Sequence, residues 1–177
     1  FFFKQKTAYE IKECDWSSDV CSSDLTYDGS AQEPCSVAVT GAGGLDTTTT
    51  LVYTDNTNAG TASVSATYAG DPNHTGSSDT DAFTIDQASS TTTVSCLAGP
   101  FTYTGVAQTP CAAIVTGAGG LNEPLTVTYA DNTHAGTASA EASYAGDANH
   151  TSSFDGTTFA IGKADATIVV TGYAVTY

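Results

Sequence analysis

Apolar residues in this chain fall at every second position in short runs, and clusters of Gly, Asn, Asp and Thr separate the runs. Thr92, Val94 and Cys96 share one face of such a run and Ala113 and Val115 another; then come Leu125, Val127 and Tyr129, then Ala138, Ala140, Ala142 and Tyr144, and last Phe159 and Ile161. An earlier series runs in parallel: Val37 and Val39, Leu51 and Tyr53, Ala62, Val64, Ala66 and Tyr68, and Phe83 and Ile85. A period of two with polar residues between is what a half-buried antiparallel strand requires, because successive side chains point to opposite faces. No stretch repeats its apolar residues every 3.6 positions, so the pattern predicts almost no helix. The breaks at 117–120, 131–136 and 146–149 hold Gly, Asn and Asp, which supply positive φ and local side-chain hydrogen bonds. Six or seven short strands spaced in this way predict an all-β chain folded as antiparallel two-sheet sandwiches. Tyr129 and Tyr144, on inward faces, are expected to bury their rings and find partners for their hydroxyls.

The two series are copies. Residues 26–87 and 102–163 align without a gap at an offset of 76 and agree at 36 of 62 positions. Thr-Gly-Ala-Gly-Gly-Leu stands at 40–45 and again at 116–121, and Tyr-Ala-Gly-Asp at 68–71 and again at 144–147. Self-similarity of this kind marks an array of small units, which serves length and multivalency more often than catalysis. The register divides the chain into a first repeat at 26–87, a complete second repeat at 88–163, and residues 164–177 as the opening strand of a third. The expected connection between repeats is short and polar, near 86–90, giving an elongated array. On this reading the chain is a piece of something longer.

Residues 1–25 stand outside the repeat. Three of the four lysines (Lys4, Lys6, Lys12), the only Trp (Trp16) and two of five cysteines (Cys14, Cys21) lie here. Back-translated, residues 4–11 and 15–25 resemble the two halves of a common sequencing adapter, with 12–14 where a variable index would fall. The segment is read as a translated artefact and set aside. A secretory signal peptide is the competing reading, but Glu10, Glu13 and Asp15 interrupt any apolar core. The register agrees with the exclusion. Cys35 is equivalent to Cys111, whose expected partner is Cys96, and one period before Cys96 lies Val20. The first repeat therefore lacks its opening strand, and Cys35 its natural partner.

Residues 26–177 hold one basic residue, Lys163, against fourteen acids, a net charge of −13, with no Arg, Trp or Met. Phosphate neutralisation needs Lys and Arg, so nucleic acid and anionic membrane surfaces are excluded as partners. No apolar run approaches the roughly 20 residues of a membrane span. A unit of this size sits near the lower limit for an independent core. A Cys96–Cys111 disulfide would stabilise it by about 3 kcal/mol on chain-entropy grounds and point to an oxidising, extracellular compartment. A pair of buried free thiols is the alternative.

Candidate chemistry is sparse. Asp71, Asn73 and Asp79, with their copies Asp147, Asn149 and Asp155, offer oxygen ligands of the kind that suits Ca²⁺, although the spacing matches no EF-hand and these residues also form ordinary turns. His74 and His150 lie beside them, each too isolated for a transition-metal site and read as turn or packing residues. The glycine-rich 41–45 and 117–121 lack the Lys and following helix of a nucleotide loop. Asn73 and Asn149 begin Asn-His-Thr acceptor patterns for N-glycosylation. An isopeptide bond through Lys163 cannot be a property of the repeat, since Gln87 stands there in the first copy. Nothing assembles a nucleophile, base and orienter, so neither catalysis nor a cofactor is expected.

Tyr27-Asp28-Gly29 and Tyr103-Thr104-Gly105 followed by Pro34 and Pro110, the Ala-Gly-Thr stretches at 59–61 and 135–137, Tyr-Ala-Gly-Asp-x-Asn-His at 68–74 and 144–150, and the closing Phe83-Thr84-Ile85 and Phe159-Ala160-Ile161 resemble bacterial Ig-like repeats of the MBG/YDG type. His134, where the first copy has Asn58, departs from the pattern. The resemblance covers 26–177 and implies Ig-like sandwiches in a large secreted or cell-surface protein, acting as spacers, stalks or weak multivalent adhesive arms. The partners it implies are neighbouring repeats and an extracellular protein or glycan. A second reading makes the segment an accessory spacer of an extracellular enzyme whose catalytic domain lies elsewhere.

Overall fold

The computed structural model describes residues 25–172; the adapter-like segment, apart from Leu25, and the last five residues lie outside them. The chain divides into two compact units, the first ending at Ala88 and the second beginning at Ser89. Among the described residues both are built of strands, with a 3₁₀ turn in each and no longer helix.

The second unit contains β7 (Ser90–Cys96), β8 (Phe101–Thr102), β9 (Cys111–Gly117), β10 (Asn122–Leu125), β11 (Thr128–Ala130), β12 (Gly136–Tyr144) and β13 (Ser153–Gly162). They form two sheets, β10-β9-β7 and β11-β12-β13-β8, in a sandwich-like arrangement. All pairings are antiparallel except β8 with β13, where Phe101 lies opposite Ile161 in a parallel pair. The first unit repeats the plan with β1 (Leu25–Thr26), β2 (Val39–Gly41), β3 (Leu45–Thr47), β4 (Leu51–Thr54), β5 (Gly60–Tyr68) and β6 (Ser77–Asp86), in sheets β1-β6-β5-β4 and β2-β3. Leu25, the last residue of the set-aside segment, belongs to this fold: it pairs with Ile85 and packs on the core, as Phe101 does one period later.

The alternating faces find their core where expected. Val94, Ala113, Ala138, Ala140, Ala142, Phe159 and Ile161 are buried together, flanked by Cys96, Phe101, Cys111, Leu125, Val127 and Tyr129. Three alanines on the inward face of β12 let the sheets approach, and the aromatic rings supply the volume. Phe159 meets Phe101 and Tyr129 edge to face, at centroid distances of 5.6 and 6.2 Å. Burying a ring of this size contributes about 1.5–3 kcal/mol.

Two expectations need correction. Leu125, Val127 and Tyr129 do not form one strand: Leu125 ends β10, paired with β9, and Tyr129 lies in β11, paired with β12. The chain changes sheets at Thr126–Val127, and the inward alternation survives the crossing because both strands face the same core. Cys35, read as lacking its natural partner, is disulfide-bonded. Cys96 and Cys111 are bonded to each other, as expected. They sit opposite each other in the β7–β9 register, so the bond joins neighbouring strands.

β7 is also fastened to β13 through side chains. Ser90 Oγ donates to Thr151 O and lies 2.7 Å from Ser153 Oγ, Thr92 Oγ1 lies 2.7 Å from Ser153 Oγ, and Val94 N donates to Asp155 Oδ2 at 2.7 Å. One backbone N–H of β7, that of Val94, is thus met by a side chain without a further strand, which disfavours pairing with a foreign edge at that point.

Candidate functional site

Asp71, Asn73 and His74, with their copies Asp147, Asn149 and His150, gather at one end of each unit, where the loop after β5 or β12 meets the 3₁₀ turn after β2 or β9. The loop begins with Gly70 or Gly146, both at φ 88°. That left-handed backbone is open to Gly, and a Cβ on either would lie 2.7 Å from the carbonyl oxygen of His74 or His150. The turn it creates brings Asp71 under the next residues. Asp71 Oδ1 accepts from the backbone N–H of Asn73 at 2.7 Å and of His74 at 2.8 Å, and Tyr68 donates its hydroxyl to Oδ2 at 3.0 Å.

The imidazole then spans two loops. His74 Nδ1 lies 2.8 Å from Asp71 Oδ1, and Nε2 lies 2.9 Å from the carbonyl oxygen of Ala42 in the 3₁₀ turn Ala42–Gly44. The second unit repeats this: His150 Nδ1 lies 2.9 Å from Asp147 Oδ1, Nε2 lies 2.9 Å from Ala118 O, and Tyr144 donates to Asp147 Oδ2 at 2.8 Å. The ring edge comes close to a bare Cα: a Cβ on Gly41 or Gly117 would lie 3.1 or 3.0 Å from the histidine Cδ2. Close approach thus favours glycine at 41 and 117, where the backbone itself is extended. His150 is the more enclosed, its side chain 5% exposed against 23% for His74.

The electrostatics follow from these contacts. The Asn73 N–H and the His74 ring hold Asp71 down to about 2. Asp147 is likewise lowered to about 2, chiefly by the Tyr144 hydroxyl, with the Asn149 and His150 donors adding to it. Burial, reinforced by the neighbouring carboxylate, pushes Tyr144 up to about 12 and Tyr68 in the same direction. His74 is raised by its bond to Ala42 O and then by Asp71. For His150 burial is the largest influence and acts downward, yet the bonds to Ala118 O and Asp147 outweigh it and the net shift is upward.

The calcium candidates separate in space. Asp71 and Asn73 share the loop, as do Asp147 and Asn149, but the lone pairs of both aspartates are engaged by the turn, the tyrosine and the histidine. Asp79 lies on β6 and Asp155 on β13, where Asp155 accepts the Val94 amide. Among the described residues no three His, Cys, Asp or Glu side chains converge on a common point. Asp71 and Asp147 act here as turn and histidine acceptors. In each Asp–His pair the Nε2 that a general base would present faces a backbone carbonyl oxygen.

Sequence reasoning assigned the histidines to turns or packing and did not foresee the bridge. The available signal was the joint recurrence of Gly41 with His74 and Gly117 with His150 in a repeat that differs at many other positions.

A second staple closes the opposite end of β5 and β12. Asn56 Nδ2 donates to Gln32 O and Gln32 N to Asn56 O, and Asn132 and Gln108 do the same. Asp55 and Asp131, at φ 58° and 56°, open these turns in the left-handed region that Asp tolerates better than most residues. Among the described residues no helix is long and apolar enough to cross a membrane. The chain matches no protein-family model, no curated protein and no solved structure.

Proposed function

We propose that the chain is a structural or adhesive segment of a large secreted or cell-surface bacterial protein, built from tandem Ig-like repeats that act as spacer, stalk or weak multivalent arm. One observation carries the reading: a set of polar residues common to both copies is spent on bracing. Tyr68, Asp71 and His74 with Tyr144, Asp147 and His150 staple one end of each unit, and Gln32 and Asn56 with Gln108 and Asn132 the other. A unit that invests its shared side chains in fixing its loops is suited to transmitting position and to presenting surfaces repeatedly, where avidity can convert weak single contacts into firm attachment. The Cys96–Cys111 disulfide is in keeping with an oxidising, extracellular setting.

Small-angle X-ray scattering of the chain, together with binding of monomeric and bead-multimerised chain to arrays of extracellular glycans and matrix proteins, tests this. An extended particle, with attachment absent or seen only when multimerised, is expected. A compact particle, or turnover of any arrayed substrate by the purified chain, would overturn it.

A further inference from the structure

Each bridging histidine faces two groups that can only accept. A carboxylate has no proton to give at neutral pH and a backbone carbonyl never has one, yet Nδ1 lies 2.8 Å from Asp71 Oδ1 and Nε2 2.9 Å from Ala42 O. A neutral imidazole carries one N–H and one lone pair. In that form one contact is a hydrogen bond and the other sets a lone pair against a lone pair. Only the imidazolium donates at both ends. Turning the ring over would not help, because carbon atoms would then face both acceptors. The same pair of contacts occurs at His150, on an independent copy of the loop.

We infer that this staple is a proton-held latch: His74 and His150 join the two loops as imidazolium, so that each unit fastens this end in mildly acidic surroundings and releases it as the medium turns alkaline.

The surroundings favour the charged ring. On its own loop and strand His74 faces Asp71 and, through it, Tyr68; the facing turn contributes only carbonyl and glycine, with Asp46 next along β3. His150 faces Asp147 and Tyr144, and Glu123 of β10 adds a negative charge near Tyr144. Lys163, the sole basic residue in 25–172, lies beyond the end of β13 and not in the latch. Both histidines are raised from 6.5, so the stability they confer is fully present below 6.5 and is lost as pH rises through their folded-state values. Asp71 and Asp147, lowered to about 2, contribute stability that is present above 3.8 and lost as pH falls through about 2. The latch is therefore complete between roughly pH 4 and 6.5.

The test is a pH titration from 5 to 9 of the full chain labelled uniformly with ¹⁵N, reading the histidine ring nitrogen shifts together with the backbone signals of Gly43, Gly44, Gly119 and Gly120. His74→Gln and His150→Gln assign the ring signals, and His134, stacked on Tyr103 instead, supplies the third. At pH 6.5 His74 and His150 are expected to show two protonated nitrogens, to titrate above 6.5, and to carry the turn glycines with them at the same midpoints. Asp71→Asn and Asp147→Asn keep the side-chain oxygen that accepts the turn amides but remove its charge, so each should lower the midpoint of its own histidine. A single-nitrogen neutral tautomer at pH 6.5, midpoints indifferent to these substitutions, or glycine signals that do not follow the rings would each overturn the latch.

Discussion

Tyr129→Phe isolates one half-buried hydroxyl. That hydroxyl accepts from the Cys111 amide at 2.9 Å and donates to the Cys111 carbonyl at 2.8 Å, pinning the first residue of β9 to the opposite sheet. Phenylalanine retains the ring and its edge-on contact with Phe159 at 6.2 Å, so packing is held constant. Two hydrogen bonds at a net 0.5–1.5 kcal/mol each give a loss of about 1–3 kcal/mol. In a unit of this size each kcal/mol lowers the melting temperature by roughly 4–8 °C. Differential scanning calorimetry should show the loss in one transition, and hydrogen exchange at the Cys111 amide should accelerate. Tyr53→Phe provides an internal comparison, because its hydroxyl makes the equivalent bonds to Cys35 at 3.1 and 3.2 Å and the longer contacts should cost less to lose. A Tyr129→Phe melting temperature within 1 °C of the parent, with Cys111 exchange unchanged, would refute the assignment of these bonds as a stabilising tie.

Three further outcomes are expected. Replacing Cys96 and Cys111 together with Ser should destabilise the second unit by about 3 kcal/mol, read by chemical denaturation, and should not add simply to Tyr129→Phe because both act on the start of β9. Gly146→Ala should cost at least about 1–3 kcal/mol from positive-φ strain alone, and more from the 2.7 Å approach to His150 O, whereas Gly120→Ala, with open space around its Cβ, should cost only the strain; thermal melts of the pair separate the two contributions. Millimolar Ca²⁺ should leave both melting transitions in place, since the carboxylate oxygens of Asp71 and Asp147 are already engaged; a clear upward shift would restore them as ligands.

What could be read without coordinates was whatever depends on period and composition. Alternation located the inward faces of β5, β6, β12 and β13, and repeat register paired Cys96 with Cys111, because a two-residue period and an offset of 76 are properties of the string itself. What stayed hidden depends on which loops meet. His74 and Ala42 are 32 residues apart and belong to turns on different strands, so nothing local to either announces the contact. Asp155 was grouped with its loop by proximity in the chain, although β13 carries it away to serve the amide of Val94. The alternation through Leu125, Val127 and Tyr129 read as one strand because both sheets address the same core, and periodicity cannot register a change of sheet when the inward face is preserved. The short parallel pairs β1–β6 and β8–β13 follow from how the chain returns to the closing strand, and two residues are too few to leave a pattern.

The position of the Cys96–Cys111 bond matters most when the chain is under tension. An extending force that enters along β7 reaches Cys96 and crosses directly to Cys111, so residues 97–110, with β8 among them, never carry the load. Those residues represent roughly 45–50 Å of contour length withheld from the stretched chain. In an oxidising medium the second unit would therefore give way with a shorter step than its residue count suggests. Reduction would release the hidden length, making the thiol state of one strand pair a setting for how far this segment extends before the next part of the chain takes up the pull.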